Sequence, residues 1–372
     1  MREKRLLSLD VFRGITIAAM IIVNNPGTWA AIFAPLEHAE WNGITPTDFI
    51  FPFFLFIVGI AIPFSLEKLL NANEITNAVY IRVFRRAAII FALGILMTLI
   101  PKFDFTHLRI FGVLQRIAIC YLIASLLFLK LKPKQLAILS IVALLLYWVL
   151  IVLVPVPGCE IPNMADKTCN LASWIDRTLL TENHIWKQGK VFDPEGILST
   201  IPAIVTTVFG IFTGLWLRSD RKIIEKAGGI LFSGVTLCAI GWVWALILPF
   251  NKSLWTSSYV VYTSGFALCF LGGCIWLVDV KHYTRWAYPF RVFGMNALAV
   301  FVLSGFLTKC LVLVKWQTAA GKTTSLYTSI YKTFFAPLAS PKTTSLLFAL
   351  GYLAFWYLIM WVLYKKNIFV KV

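Results

Sequence analysis

A histidine and an aspartate ten residues apart are the side chains in this 372-residue chain best suited to acid–base work. His38 lies in Glu37-His-Ala-Glu-Trp-Asn-Gly43, and Asp48 closes the following Thr45-Pro-Thr-Asp48; no Lys or Arg intervenes. Near neutral pH an imidazole can take a proton from an amine or hydroxyl, or accept an acyl group itself, and a carboxylate beside it would orient the ring. A plainer alternative stays open. His38 is then an ordinary loop residue and Asp48 a helix-start cap, because the apolar run Phe49-Ile-Phe-Pro-Phe-Phe-Leu-Phe56 follows at once and a helix N-terminus favours negative charge.

Further polar residues stand in or beside apolar runs, where they are costly and therefore informative. Asn24-Asn25-Pro26 ends the first run. Asp10 and Arg13, three apart, share a helix face and read either as an ion pair or as a site for an anionic ligand. Arg109 marks the outer edge of another run, and Gln115-Arg116 lies deeper, so Arg116 needs a polar cavity or an ion-pair partner. Asp193-Pro194-Glu195 closes a long loop just before a run and reads either as a helix-start cap or as a ligand contact. The four histidines, His38, His107, His184 and His282, are scattered, so no metal-ligand spacing appears. Neither a phosphate-cradling loop nor a nucleophile elbow is present.

The elements that must position these residues are membrane helices. Hydrophobic residues make up 59% of the chain and charged ones 14%, against about a quarter charged in soluble domains. Apolar runs lie near 9–25, 49–66, 80–100, 110–129, 135–155, 197–217, 227–249, 256–279, 291–314 and 344–364. Each approaches the roughly 20 residues that cross a bilayer as helix. The expected fold is an all-α polytopic transmembrane bundle of about ten spans, one domain over residues 1–372. The second helix is expected to kink at Pro52 and Pro63. The opening Met1-Arg-Glu-Lys-Arg reads as the flank of an uncleaved first span, and Gly210-x-x-x-Gly214 permits close helix approach.

The formal charge of +17 is not gathered on one face, which argues against nucleic acid. The cations sit in the N-terminal tail and in every second gap after it: Arg2, Lys4 and Arg5; Lys68, Arg82, Arg85 and Arg86; Lys130, Lys132 and Lys134; Arg218, Arg221, Lys222 and Lys226; Lys281, Arg285 and Arg291; Lys365, Lys366 and Lys371. That alternation puts both termini in the cytoplasm. Outer loops then fall near 26–48, 156–196 and 315–343. The second is Pro-rich, with a helical stretch expected around 171–180, and holds Cys159 and Cys169, which an oxidising face would pair. Cys120, Cys238, Cys269, Cys274 and Cys310 lie within spans and read as packing residues.

Several segments together resemble the heparan-α-glucosaminide N-acetyltransferase family. They include Leu6-Leu-Ser-Leu-Asp-Val-Phe-Arg-Gly14, His38-Ala-Glu-Trp-Asn-Gly-Ile-Thr-Pro-Thr-Asp48 and Ile110-Phe-Gly-Val-Leu-Gln-Arg116. Pro155-Val-Pro-Gly-Cys159, Trp174-Ile-Asp-Arg177, Phe192-Asp-Pro-Glu-Gly-Ile-Leu198, Asn251-Lys-Ser-Leu-Trp255 and Tyr364-Lys-Lys-Asn-Ile-Phe369 continue the series in order. The chain is expected to lack the N-terminal luminal domain and preceding span of the lysosomal member, as a bacterial relative in the inner membrane would.

The resemblance implies that acetyl from cytosolic acetyl-CoA passes to the amine of terminal glucosamine in a heparan-type saccharide on the periplasmic side. His38 matches the family's active-site histidine, with Asn24 and Asp48 matching polar residues close to it. Arg13 and Arg116 are candidate coenzyme A contacts, Asn42, Asp193 and Glu195 candidate sugar contacts, and no metal is expected. Membrane lipids are expected neighbours, and self-association as a homodimer is left open. The competing readings are acylation of another periplasmic sugar and transport of a small solute with no covalent step.

Overall fold

The computed structural model describes residues 6–70, 77–159, 161–318 and 321–370, with backbone alone for 67–70. Arg2, Lys4, Arg5 and Lys371 of the charge pattern lie outside the described residues, as does the Lys68 side chain. The protein is mostly helical, 68% helix against 2% strand. The first helices are α1 (Leu7–Asn24), α2 (Ile50–Leu70), α3 (Asn77–Leu99), α4 (Val113–Lys130) and α5 (Pro133–Leu153). Then come α6 (Leu171–Leu180), α7 (Thr200–Arg218), α8 (Ile223–Ala245) and α9 (Ser257–Cys274). The last are α10 (Tyr288–Met295), α11 (Ala297–Leu313), α12 (Leu326–Ile330) and α13 (Pro341–Lys365).

Among the described residues eight helices are long and apolar enough to cross a bilayer: α1, α2, α4, α5, α7, α8, α9 and α13. The pair α10 and α11, bent by 81°, makes a ninth if it is one broken span. The sequence suggested about ten. The difference is α3, which has the length, 23 residues, but carries Arg82, Arg85 and Arg86 in its first half. These cations lower its apolar character, and Arg86 lies over the Tyr121 ring at 4.9 Å.

Contacts divide the described chain into two compact units, one of residues 6–38, 45–50 and 277–370, the other of 39–44 and 51–276. In the first, α1 and α10 touch backbone to backbone, because a Cβ on Gly14 would overlap Phe290 and one on Gly294 would overlap Asp10. A small antiparallel hairpin, β1 (Lys315–Gln317) with β2 (Thr323–Ser325), pairs Trp316 with Thr324. Its strands are rich in the β-branched and aromatic residues that suit a pleated edge, and Gly321 takes φ +69° between them.

In the second unit, α2 and α7 approach through Gly59 and Gly210, where added Cβ atoms would meet Thr207 and Phe56 carbonyls. Gly210-x-x-x-Gly214 is thus a packing surface, with Gly214 against Ile60. The core runs through Ile62, Val83, Tyr121 and Ile211 and, separately, through Leu55, Trp255 and Tyr259. A third cluster of Trp41, Tyr147, Ile151, Phe192 and Leu254 sits under the 156–196 loop. That loop forms α6 over the expected residues, with the Asn170 side chain accepting from Ser173 N–H at 2.9 Å as an N-cap. Cys159 and Cys169 are disulfide-bonded, their Cα atoms 5.8 Å apart.

Candidate active site

Two single-turn helices bring His38 and Asp48 together. Ala34–Leu36 has Pro35 in its first turn and Pro46–Phe49 begins on Pro46, where the fixed proline φ favours helix entry. Threonine hydroxyls clasp the turns: Thr47 Oγ1 donates to Pro35 O at 3.1 Å, and Thr45 Oγ1 to Glu37 O at 2.6 Å. His38 follows Glu37 directly. Asp48 Oδ2 accepts from Thr45 N–H at 3.0 Å, which leaves Oδ1 aimed at His38 Nδ1, 2.7 Å away.

An ionised carboxylate can only accept, so Nδ1 of His38 carries a proton in this contact. The Asp48 side chain is 1% exposed and the His38 side chain 50%. This arrangement is a fixed carboxylate holding an accessible base. Asp48 thus caps the turn before α2 through Oδ2 and contacts the histidine ring through Oδ1.

Asn24, the third residue expected here, ends α1 and is exposed. Its neighbour Asn25 is buried, donating from Nδ2 to Ile21 O at 2.8 Å and accepting from Thr308 Oγ1 at 2.6 Å. The i+4 step from buried Ile21 to position 25 was the available signal for that difference. Arg13 pairs with Asp10 at 3.4 Å and donates to Gly294 O at 3.2 Å, at the carbonyl end of α10.

In the second unit, Asn42 is exposed and its Oδ1 accepts from buried Asn251 Nδ2 at 3.0 Å. Gly43, at φ +119°, donates its N–H to Phe250 O at 2.8 Å. Trp41 Nε1 donates to Met164 O at 2.7 Å, and its ring meets Phe192 edge-on.

The same unit contains a buried charge cluster. Arg109 Nε donates to Asp193 Oδ2 at 2.8 Å, and Nη2 reaches both Asp193 and Glu195. Asp193 and Glu195, expected at the sugar, are 2% and 6% exposed and hold Arg109. Burial disfavours the charge on Arg109, but Glu195 and Asp193 outweigh it and raise its pKa. Burial pushes Asp193 up, and the neighbouring Glu195 charge adds to this against Arg109.

Arg116 is fully buried. It donates through Nη2 to Gly196 O at 3.0 Å and to Ser199 Oγ, and its guanidinium lies 5.2 Å from the Trp255 ring centroid. Its Nε and Nη1 have no hydrogen-bond partner. Asp176, on α6, is the member of this cluster that sequence reasoning missed. Burial pushes its carboxyl up to about 7 even though Ile197 N–H donates to Oδ1 at 2.9 Å. Among the described residues no group of three His, Cys, Asp or Glu side chains is placed to hold a metal.

The family model described as heparan-alpha-glucosaminide N-acetyltransferase, catalytic, matches residues 5–241. The chain belongs to that family. His38, Asp48, Arg116 and the Arg109 cluster all fall within the match, whereas Asn251 and helices α9 to α13 lie beyond it. Human heparan-alpha-glucosaminide N-acetyltransferase is 29% identical over 355 residues, covering 80% of this chain and 52% of the human protein. The mouse protein of the same name is 27% identical over 425 residues, covering 99% of this chain and 60% of its own length. The chain thus spans between about half and three-fifths of the length of these relatives.

Proposed function

We propose that this protein is a multi-pass N-acetyltransferase of a bacterial inner membrane. It moves acetyl from cytosolic acetyl-CoA to the amine of terminal glucosamine in heparan-type saccharides on the periplasmic side. The observation that carries this reading is the 2.7 Å pair of buried Asp48 and half-exposed His38, within a chain whose family is named for that transfer. The basic gaps support termini in the cytoplasm, with the 26–48, 156–196 and 315–343 loops outside and one catalytic domain overall, an alternation that counts α3 and the bent α10–α11 pair each as one crossing.

Acetyl-CoA supplies the activated acyl carbon as a thioester. In direct transfer the sugar amine forms the new C–N bond as the C–S bond breaks, the amine proton goes to Nε2 of His38, and coenzyme A leaves as thiolate to be protonated. In the two-step route Nε2 first takes the acetyl as the C–S bond breaks, and the Nε2–C bond then breaks as the amine attacks and gives up its proton. Asp48 holds the tautomer and stabilises the imidazolium. Asn24 is assigned to orient this histidine or donate to the oxyanion. Arg116 fits an anionic ligand through its two nitrogens without partners, and Arg13 has a side chain 28% exposed; both are assigned to coenzyme A. Asn42, with Asp193 and Glu195, is assigned to the sugar.

Purified protein given labelled acetyl-CoA and a panel of amino sugars and oligosaccharides tests the proposal. Label on the glucosamine nitrogen is expected. Label on a sugar oxygen indicates another periplasmic acceptor. Consumption of no acetyl-CoA with any acceptor overturns the reading in favour of solute transport, which the bent α10–α11 pair supports.

A further inference from the structure

Helix α8 is held closely on one side and open on the other. Against α9 the backbones meet at Gly234, Gly241 and Gly265, each without room for a Cβ. Against α7 a groove of about 580 Å³ remains. Phe209, Phe212 and Trp216 of α7 and Ile230, Thr236 and Leu237 of α8 line it. The Thr213 and Thr236 hydroxyls are spent within their own helices, on Phe209 O and Phe232 O at 2.9 Å each, so the wall is mostly apolar, with exposed Ser233 on it.

One end of the groove is charged. Trp216 closes that end, its ring against Gly229 and its Nε1 donating to Lys226 O at 3.1 Å. The exposed Arg221 guanidinium lies 4.7 Å from the centroid of that ring, and the exposed Lys222 follows it. Lys226 is turned inward, its Nζ donating to Leu217 O at 2.7 Å. Residues 218–226 hold Arg218, Arg221, Lys222 and Lys226 with Asp220 and Glu225, so four cations less two anions leave a net charge of +2; Arg218 itself turns to α2, donating to Pro63 O at 3.5 Å.

We infer that this groove is a binding site for an acidic phospholipid, with acyl chain between α7 and α8 and headgroup phosphate at Arg221 and Lys222. Both walls belong to membrane-spanning helices, so hydrocarbon is the surrounding medium. From Phe209 to Trp216 the groove runs ~10 Å at 1.5 Å per residue, a length that part of an acyl chain can follow. The cations at one end select a negative headgroup over a zwitterionic one.

The test is native mass spectrometry of the full chain with dioleoylphosphatidylglycerol and dioleoylphosphatidylcholine at equal concentration. Preferential retention of the glycerol lipid is expected. Arg221→Ala and Lys222→Ala are each expected to weaken that retention about fivefold, the worth of one surface cation near acidic lipid, with little change for the choline lipid. Ser233→Phe, which places a ring in the groove from an exposed position, should reduce retention of both. Equal retention of the two lipids by the unaltered chain, or undiminished glycerol-lipid retention by Ser233→Phe, overturns the inference and leaves ordinary lipid contact.

Discussion

The Asp48 carboxylate is shut away from solvent, yet the His38 ring that it touches at 2.7 Å keeps half of its side-chain surface open. Burial fixes the carboxylate, and exposure leaves the ring open to solvent, as the proposed role of base requires. His38→Ala is expected to lower acetyl transfer by about 10²–10⁴, the usual worth of a positioned acid–base group. Its thermal stability in detergent should fall by no more than about 1–3 kcal/mol, the cost of taking the ring from a buried Asp48 oxygen, so the loss of rate is measured on folded protein. Asp48→Asn should also lower the rate strongly, because an amide in that place no longer enforces the Nδ1–H tautomer. Normal turnover by His38→Ala would remove His38 from the mechanism.

Gly196 leaves room for Asp176 and for nothing else. A Cβ there would overlap the Asp176 carboxylate, while Ile197 N–H holds the same group at 2.9 Å. Gly196→Ala should destabilise the protein by about 1–3 kcal/mol through overpacking. Asp176→Ala in the same chain should return part of that loss, a coupling that a double-mutant cycle of unfolding midpoints measures. Additive effects would show that the two positions do not share the space.

Arg109 is the cation that makes two buried carboxylates tolerable. Arg109→Met strands Asp193 and Glu195, and breaking a buried pair in this way costs about 3–5 kcal/mol. Arg109→Lys should recover only part, because an ammonium cannot reproduce the Nε and Nη2 contacts. Unfolding in mixed detergent provides the measurement, and near-normal stability of Arg109→Met would count against this account.

The nearness of His38 and Asp48 was legible because it is local, set by two short turns with early prolines within one loop. The membrane helices were legible for a similar reason, since apolar length is a property of a segment. The Arg109–Asp193 contact joins residues 84 apart, and no periodicity encodes such a pairing. Asp193 and Glu195 could be marked as unusual from sequence, but their burial could not. Asp176 passed unnoticed because it sits on a short amphipathic helix, where a carboxylate ordinarily faces water. The α3 count differed because its run was long enough while its first turns carried three arginines.

Glu40 offers a direct test of orientation. It is exposed on the loop between α1 and α2, and the gap it occupies has no cation between Arg13 and Glu67. On a background with Cys120, Cys238, Cys269, Cys274 and Cys310 replaced and the Cys159–Cys169 bridge kept, Glu40→Cys should react with an impermeant maleimide in intact cells. Labelling only after permeabilisation would reverse the proposed sidedness.

Asp176 should also make stability depend on pH in an unusual direction. Its carboxyl goes from 3.8 without burial to about 7 in the folded protein, so the folded state binds the proton more tightly than the unfolded one. The stabilising contribution is then complete below about pH 4 and falls away as pH rises through about 7, with a slope of up to ~1.4 kcal/mol per unit for one proton. Asp193, pushed up by burial, works in the same sense. Asp193 and Arg116 are the charged groups that act on Asp176, and the arginine does not titrate in this window. Thermal unfolding in detergent, followed from pH 4.5 to 8, should show a declining midpoint. Asp176→Asn, uncharged throughout, should flatten that decline. An equally steep decline in Asp176→Asn would assign the proton to another group, with Asp193→Asn the next variant to measure.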